Sequence, residues 1–359
     1  MYLILITAFF SLVALIIIHE LGHFLIAKKL GVKVEEFGLG FPPRIWGKKI
    51  GETIYTLNWI PFGGFVKIYG HEDPVYGDPR SFSERPFWQR SLIVLGGVLV
   101  FWVVAAIILT IVMMIGAPTV IDDSTTTDLI DPKVQIISVL EGSAAEESGL
   151  KLGDIIQKVK SKDSSALDVN KVADIQNFSE VNKGEEVVLT IKRGMEVFDV
   201  EMTLTVDETP IGVSLVRTDL KKYPWYVAPV KGIQATFSLT LSVIQSWIML
   251  LGNLFTGQGL PPGVEVAGIV GIFQLFTEIG GLGVSYFLQF VAIIAIHLAL
   301  INILPIPALD GGWFFFMLIE KIKGKPLNQV LVQRTSAVFF FLLIGLMIWI
   351  TIRDIVRIF

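Results

Sequence analysis

The sequence predicts a polytopic α-helical membrane protein with four transmembrane helices, a small membrane-associated β-sheet region and one extracytoplasmic α/β domain. Three observations predict it. Of 359 residues 53% are hydrophobic, and mean hydropathy is +0.66, more apolar than a soluble chain needs. Long apolar runs recur near both ends of the chain. Between them, from Lys133 to about Val206, the composition becomes that of a small soluble domain. A net charge of −4 offers no basic surface for nucleic acid, which excludes that partner class. The chain has no cysteine, so disulfides and thiolate metal sites are excluded as well.

The first span, residues 1–27, carries no charge before His19 and then presents His19-Glu20-Leu21-Gly22-His23. At helical spacing the two imidazoles share one face and can hold one Zn²⁺, with Glu20 placed as general base for a water. Ionisable groups inside a span are costly enough to read as functional. The run lacks the positive start of a signal peptide, so it reads as a retained span. Lys28, Lys29, Lys33 and Arg44 follow it, which puts this end on the cytoplasmic side, with the metal nearer that face.

Residues 28–90 read as short strands punctuated by Gly and Pro: Val32 to Leu39, Arg44 to Ile50, Thr53 to Trp59 and Gly63 to Tyr69. His71, beside Glu72 and Asp73, reads as a solvated loop histidine. Residues 81–90 form an interfacial lead-in to the second span, 91–115. Residues 133–216 then give strands at Val134 to Val139, Glu186 to Lys192 and Val197 to Leu204. A short helix is expected at Ala144 to Ser148 and another at Val169 to Phe178.

Residues 217–283 are expected to be interfacial or re-entrant on the outer side. The stretch Gly232 to Gly252 is apolar, but Gln234, Ser238, Ser242, Gln245 and Ser246 form a polar stripe. Were it a span, the next one would carry its far end to the wrong face. The third span, 284–321, is interrupted by Asn302-Ile303-Leu304-Pro305-Ile306-Pro307-Ala308-Leu309-Asp310-Gly311-Gly312. Candidate third metal ligands are His71, His297 or a carboxylate. Irregular backbone at membrane depth needs a protein or water-lined setting, which points to Asp310. His297 then reads as an interior histidine or a partner of the ligands. Lys321, Lys323, Lys325 and Arg334 mark a cytoplasmic turn before the fourth span, 335–352.

The pair HELGH and NILPIPALDGG resembles the site-2 intramembrane metalloproteases, in their bacterial RseP-type branch. The resemblance extends through Pro61 to Val66, Arg90 to Val94 and Glu320 to Pro326. It implies a prokaryotic inner-membrane zinc peptidase with His19, His23 and Asp310 on Zn²⁺, Glu20 as the base, and Asn302 bonded to substrate or oxyanion. It implies single-span membrane substrates already trimmed outside, such as anti-sigma factors or signal-peptide remnants. The strands of residues 32–69 read either as a small cytoplasmic hairpin sheet or, as the resemblance implies, as a sheet near the membrane whose edge pairs with an unwound substrate strand. The order of residues 133–216, with Gly149-Leu150 and Gly153-Asp154, resembles a circularly permuted PDZ domain. That resemblance implies a size filter and a groove for a peptide end, completed by Ile211 to Val213. One departure stands out: Phe101 falls where the family carries an Asn. The competing classes are a zinc transporter and an inert scaffold. The chain shows no internal repeat, and Glu20 is intact.

Overall fold

The computed structural model describes residues 2–126, 129–140, 142–161, 164–194, 196–207, 209–257 and 267–358. Met1 of the first span and the Pro261-Pro262 pair of the expected outer segment lie outside them. Helix α1 (Tyr2–Lys29) carries no acid in its first turn and ends on Lys28 and Lys29, which suit the negative end of its dipole. Its 28 residues reach about 42 Å at 1.5 Å each, enough to cross a bilayer.

The strands β1 (Val34–Ile50) and β2 (Thr53–Ile68) each fold back on themselves. Phe37 pairs with both Val66 and Tyr55, while Lys48 also pairs with Tyr55. The four expected strand pieces are therefore the arms of two bent strands. Residues 64–68 and 44–50 form the two edges of this sheet. After a 3₁₀ turn at Phe82–Glu84, α2 (Phe87–Val94) and α3 (Gly96–Ile115) form one helical run broken at Leu95.

The soluble domain comprises β3 (Ala117–Val120), β4 (Lys133–Val139), α4 (Ala144–Glu147), β5 (Ile155–Ser161), β6 (Leu167–Asp168), α5 (Val172–Val181), β7 (Glu186–Arg193), β8 (Glu196–Thr203) and β9 (Val213–Lys221). The strand order is β3-β9-β4-β5-β7-β8, with β6 beside β5. Alternation along β7 turns Val187, Leu189 and Ile191 inward, where they meet Ile156, Ile175 and Phe178 in one core. The Gly149 to Asp154 loop is held by an ion pair between a buried carboxylate and a partly exposed guanidinium: Arg193 Nε and Nη2 each donate to Asp154 at 2.7 Å, and Nη2 also donates to the Gly149 carbonyl.

The remaining helices are α6 (Ala228–Phe255), α7 (Ile269–Gly281), α8 (Val284–Ile303), α9 (Asp310–Lys323) and α10 (Gln329–Ile358). Among the described residues five helices are long and apolar enough to cross a membrane, not four. The additional one is α6, in the segment expected to be interfacial. Gly232, Thr236 and Thr240 share its packed side with Ala235, Leu239, Val243, Ile244 and Trp247, while Gln234, Ser238, Ser242, Gln245 and Ser246 are exposed. Gly232 abuts Thr110 of α3, and Trp102 Nε1 donates to Thr240 Oγ1 at 3.2 Å. The hydroxyls of Thr236, Thr240 and Ser246 return to carbonyls one turn back, so they carry little desolvation cost.

The parity argument fails for a definite reason. Gly232 meets Thr110 and Thr240 meets Trp102, so α6 runs antiparallel to α3, and therefore alongside α8 in the same direction. Both helices run toward the His19 end of α1, and Asp310, which follows α8, lies there. Small residues let α1, α3 and α8 approach closely, with Ala8, Ala105, Ala292, Ala295 and Ala299 fully buried at their contact.

Candidate metal centre

Helix α1 delivers His19 and His23 on one face. It crosses α3 where two glycines meet: a Cβ on Gly22 would lie 2.6 Å from the Gly96 carbonyl oxygen. Gly97 then faces the imidazoles, and a Cβ there would come within 2.5 Å of His19 Nδ1 and collide with His23 Nε2. The third residue arrives from the break between α8 and α9. Pro305 and Pro307 cannot continue α8, and Asp310 opens α9 at its electropositive end. Gly311 and Gly312 are required there, because any side chain would strike the carbonyls of Ile303, Leu304 and Ile306.

The three donors close into a near-equilateral triangle. His19 Nε2 lies 3.3 Å from His23 Nε2 and 3.3 Å from Asp310 Oδ2, and His23 Nε2 lies 3.4 Å from Asp310 Oδ2. A tetrahedron with bonds of about 2.0–2.1 Å has edges of about 3.3–3.4 Å, so the triangle has the dimensions of three zinc ligands. Asp310 Oδ2 is buried with no hydrogen-bond partner, as a ligand oxygen would be. His23 Nδ1 lies 2.8 Å from the Ile93 carbonyl oxygen; donating there turns the Nε2 lone pair toward the triangle. His19 is steadied by the Phe101 ring stacked on it. Side-chain exposures of 12%, 9% and 20% for His19, His23 and Asp310 make the centre sheltered but reachable.

Glu20 sits on the same turn and faces β2. A Cβ on Gly64 would lie 3.4 Å from Glu20 Cγ, and the carboxyl is within reach of the Val66 backbone. The edge of residues 64–68 therefore runs past it. Asn302 occupies the last turn of α8, where its Nδ2 donates to the Leu298 carbonyl at 2.9 Å. His297 is not at the triangle. Its Nδ1 pairs with the Ile293 carbonyl of its own helix at 2.9 Å, as an interior histidine would.

His71 is not a solvated loop residue. Its ring lies edge-on to Phe82 and against Trp313, both at 4.6 Å between centroids. Burial pushes its pKa down to about 4, so the ring is neutral. The reading of His71 from its acidic neighbours failed because its ring packs between the 3₁₀ turn and α9, and neither adjoins Glu72 and Asp73 in sequence. Sequence reasoning also missed Gly97, Ile93 and the contact made by Phe101. The Gly96-Gly97 pair in an apolar run was the available signal of close approach.

Residues 7–346 match the model of peptidase family M50. The chain belongs to this family. It is 34% identical over 362 residues to a Clostridium perfringens protein that bears a zinc metalloprotease name, with 99% of both chains covered. It is 28% identical to the zinc metalloprotease RasP of Bacillus licheniformis, covering 96% of this chain and 97% of that one. With the regulator of sigma-W protease RasP of Bacillus subtilis it shares 26% over 435 residues, 96% of each. About a quarter of the chain is similar to the PDZ domain of an SdrC-like protein from Listeria monocytogenes, 25% identical, covering 26% of this chain and 92% of that one, with a TM-score of 0.20. This member of family M50 is thus a membrane zinc metalloprotease, with His19, His23 and Asp310 as its candidate metal site.

Proposed function

We propose that this metalloprotease hydrolyses peptide bonds within or near the spanning segment of single-span membrane proteins. Pre-trimmed anti-sigma factors or signal-peptide remnants are the substrate class. The observation that carries the reading is the 3.3–3.4 Å donor triangle with Glu20 on the adjoining position of α1. His19, His23 and Asp310 would hold the zinc. When bound, zinc supplies a Lewis acid that polarises the scissile carbonyl and brings the pKa of a water down to about 7.

Glu20 takes the proton of the attacking water and passes it to the leaving amine nitrogen. A helical substrate hides its carbonyls in its own hydrogen bonds and must unwind first. The open edge at Gly64 and Val66, beside Glu20, offers backbone partners for the unwound strand, which would hold one carbonyl against the metal. Asn302 orients the substrate or the developing oxyanion. The PDZ-like domain excludes untrimmed substrates, and the groove between α5 and Ile211 to Val213 takes a peptide end. The basic ends at Lys28-Lys29 and Lys321 to Lys325 support a cytoplasmic position for the metal side and an extracytoplasmic one for the soluble domain.

The test is metal content and cleavage measured together. Wild type and Glu20→Gln are purified in detergent, assayed for zinc, and incubated with a pre-trimmed single-span substrate. The reading requires one zinc in each and cleavage by wild type alone, abolished by chelator and restored by zinc. Zinc without cleavage of any trimmed substrate would overturn it.

A further inference from the structure

A cavity of about 380 Å³, lined by both apolar and charged side chains, lies along α9 beyond the metal centre. Two separate paths lead to it from the catalytic triangle. On α9, Asp310, Trp313, Met317 and Glu320 share one face; the last three line the cavity, about 15 Å from end to end at 1.5 Å per residue. On β2, the edge that passes Glu20 at Gly64 ends at Ile68, about 13 Å on at 3.3 Å per residue, and the turn after it puts Gly70 on the cavity wall. A strand laid on that edge with its reacting carbonyl at the metal would therefore reach the cavity about five or six residues later.

The lining is incompletely paired. Arg90 Nε, Gln329 Oε1 and His71 Nε2 are buried without hydrogen-bond partners. Native proteins rarely leave such atoms unmet, so three around one cavity indicate that something polar enters it. Glu320 is already spent, accepting from Arg90 Nη1 at 3.3 Å and from the Leu327 backbone at 3.1 Å. Lys321 and Lys325 also line the cavity. Three cationic side chains thus face one carboxylate, which leaves an excess of positive charge after the Arg90–Glu320 pair.

We propose that this cavity is a substrate subsite that takes an acidic side chain from the flank of the cleaved segment, five or six residues from the scissile bond. A carboxylate there would accept from Arg90 Nε and be held by the two lysines. Gln329 can turn its amide to present either atom. The proposal rests on the peptidase reading, and it adds selectivity to it. Cytoplasmic flanks of spanning segments are generally rich in Lys and Arg. A basic subsite refuses most of them and admits the few that carry an acid.

The experiment uses the full-length zinc-loaded protein and two single-span substrates that differ only in Glu or Lys at the fifth and sixth flanking residues. Wild type is compared with a Lys321→Glu/Lys325→Glu variant, whose changed side chains are both exposed. Wild type should show a KM about tenfold lower for the Glu substrate with kcat unchanged, and the variant should reverse that preference. A fluorescein-labelled Glu-rich hexapeptide should bind Glu20→Gln protein and lose about tenfold in affinity when the two lysines are reversed. Equal KM values, or a preference that survives charge reversal, would mean that the cavity holds only water. If wild type cleaves neither substrate yet the hexapeptide binds with the expected charge dependence, the peptidase reading fails and the site remains. If the hexapeptide does not bind, the subsite is overturned whatever the cleavage result.

Discussion

The phenyl ring of Phe101 lies flat on the imidazole of His19, with centroids 4.8 Å apart and planes 19° apart. Phe101 is 2% exposed, so this face of the candidate ligand is closed to water. The phenyl ring restricts imidazole rotation by contact. Phe101→Leu keeps most of the buried volume and removes the flat contact. We expect folding to survive and zinc affinity to fall about tenfold, as for other residues that orient metal ligands. Competition with a zinc-sensitive dye checks it. An unchanged zinc affinity would show that Phe101 only fills space.

Gly97 is the second constraint on the triangle. Gly97→Ala places a methyl group within 2.5 Å of His19 Nδ1, with no room to move because α1 and α3 already touch at Gly22 and Gly96. The variant should lose stoichiometric zinc. Gly252→Ala is the control: it meets nothing within 4 Å and sits on a helix, so zinc content should not change. Zinc assay of both proteins after gel filtration decides the matter.

The triangle was legible from the sequence because two of its corners lie on one turn of helix and the third stands beside a glycine pair that must pack against backbone. Those are local signals. Phe101, Gly97 and the Ile93 carbonyl act on the same histidines from another helix, and no spacing rule connects residues about 80 positions apart in sequence. The α6 helix was expected at the interface because its polar stripe left the question open and the need to bring Asp310 to the His19 side argued against a span. Its packed face mixes Gly232, Thr236 and Thr240 with Ala235, Leu239, Val243, Ile244 and Trp247, and what the small polar residues contribute depends on the partner helix. The soluble domain was read well because its alternation is local. Its ends were not: β3 and the end of β9 pair across about 100 residues.

The Gly149-Leu150 and Gly153-Asp154 signature has a mechanical basis in Arg193. Asp154 is fully buried and receives two bonds from that guanidinium together with the Lys151 N–H at 2.8 Å. Arg193→Met would leave the carboxylate buried and without its counter-charge, at a cost of about 3–5 kcal/mol to the soluble domain. Hydrogen exchange on the full-length protein should show residues 133–221 losing protection while α1 and α3 retain theirs. Because the zinc triangle lies in other elements, metal content should stay at the wild-type level.

Asp354, near the end of α10, is 8% exposed, and its Oδ2 accepts from the backbone N–H of Gly268 at 2.8 Å and of Gly271 at 2.9 Å. It therefore caps the first turn of α7 from a different helix, where Gly268 itself has no side chain to do so. At its other end α7 is wedged by Gly280 against Ile4 of α1, and Gly281 lies against Gly194 of the soluble domain. Loss of the cap should free the start of α7 while the wedged end stays in place. Asp354→Ala removes both acceptor bonds at a cost of about 1–3 kcal/mol, felt locally. Amide exchange at residues 268–272 should accelerate at least about fivefold, because 1 kcal/mol in an opening equilibrium is worth about that factor. Exchange in α8 and zinc content should not move. If exchange rises equally across all helices, Asp354 supports the whole bundle and is not a cap confined to α7.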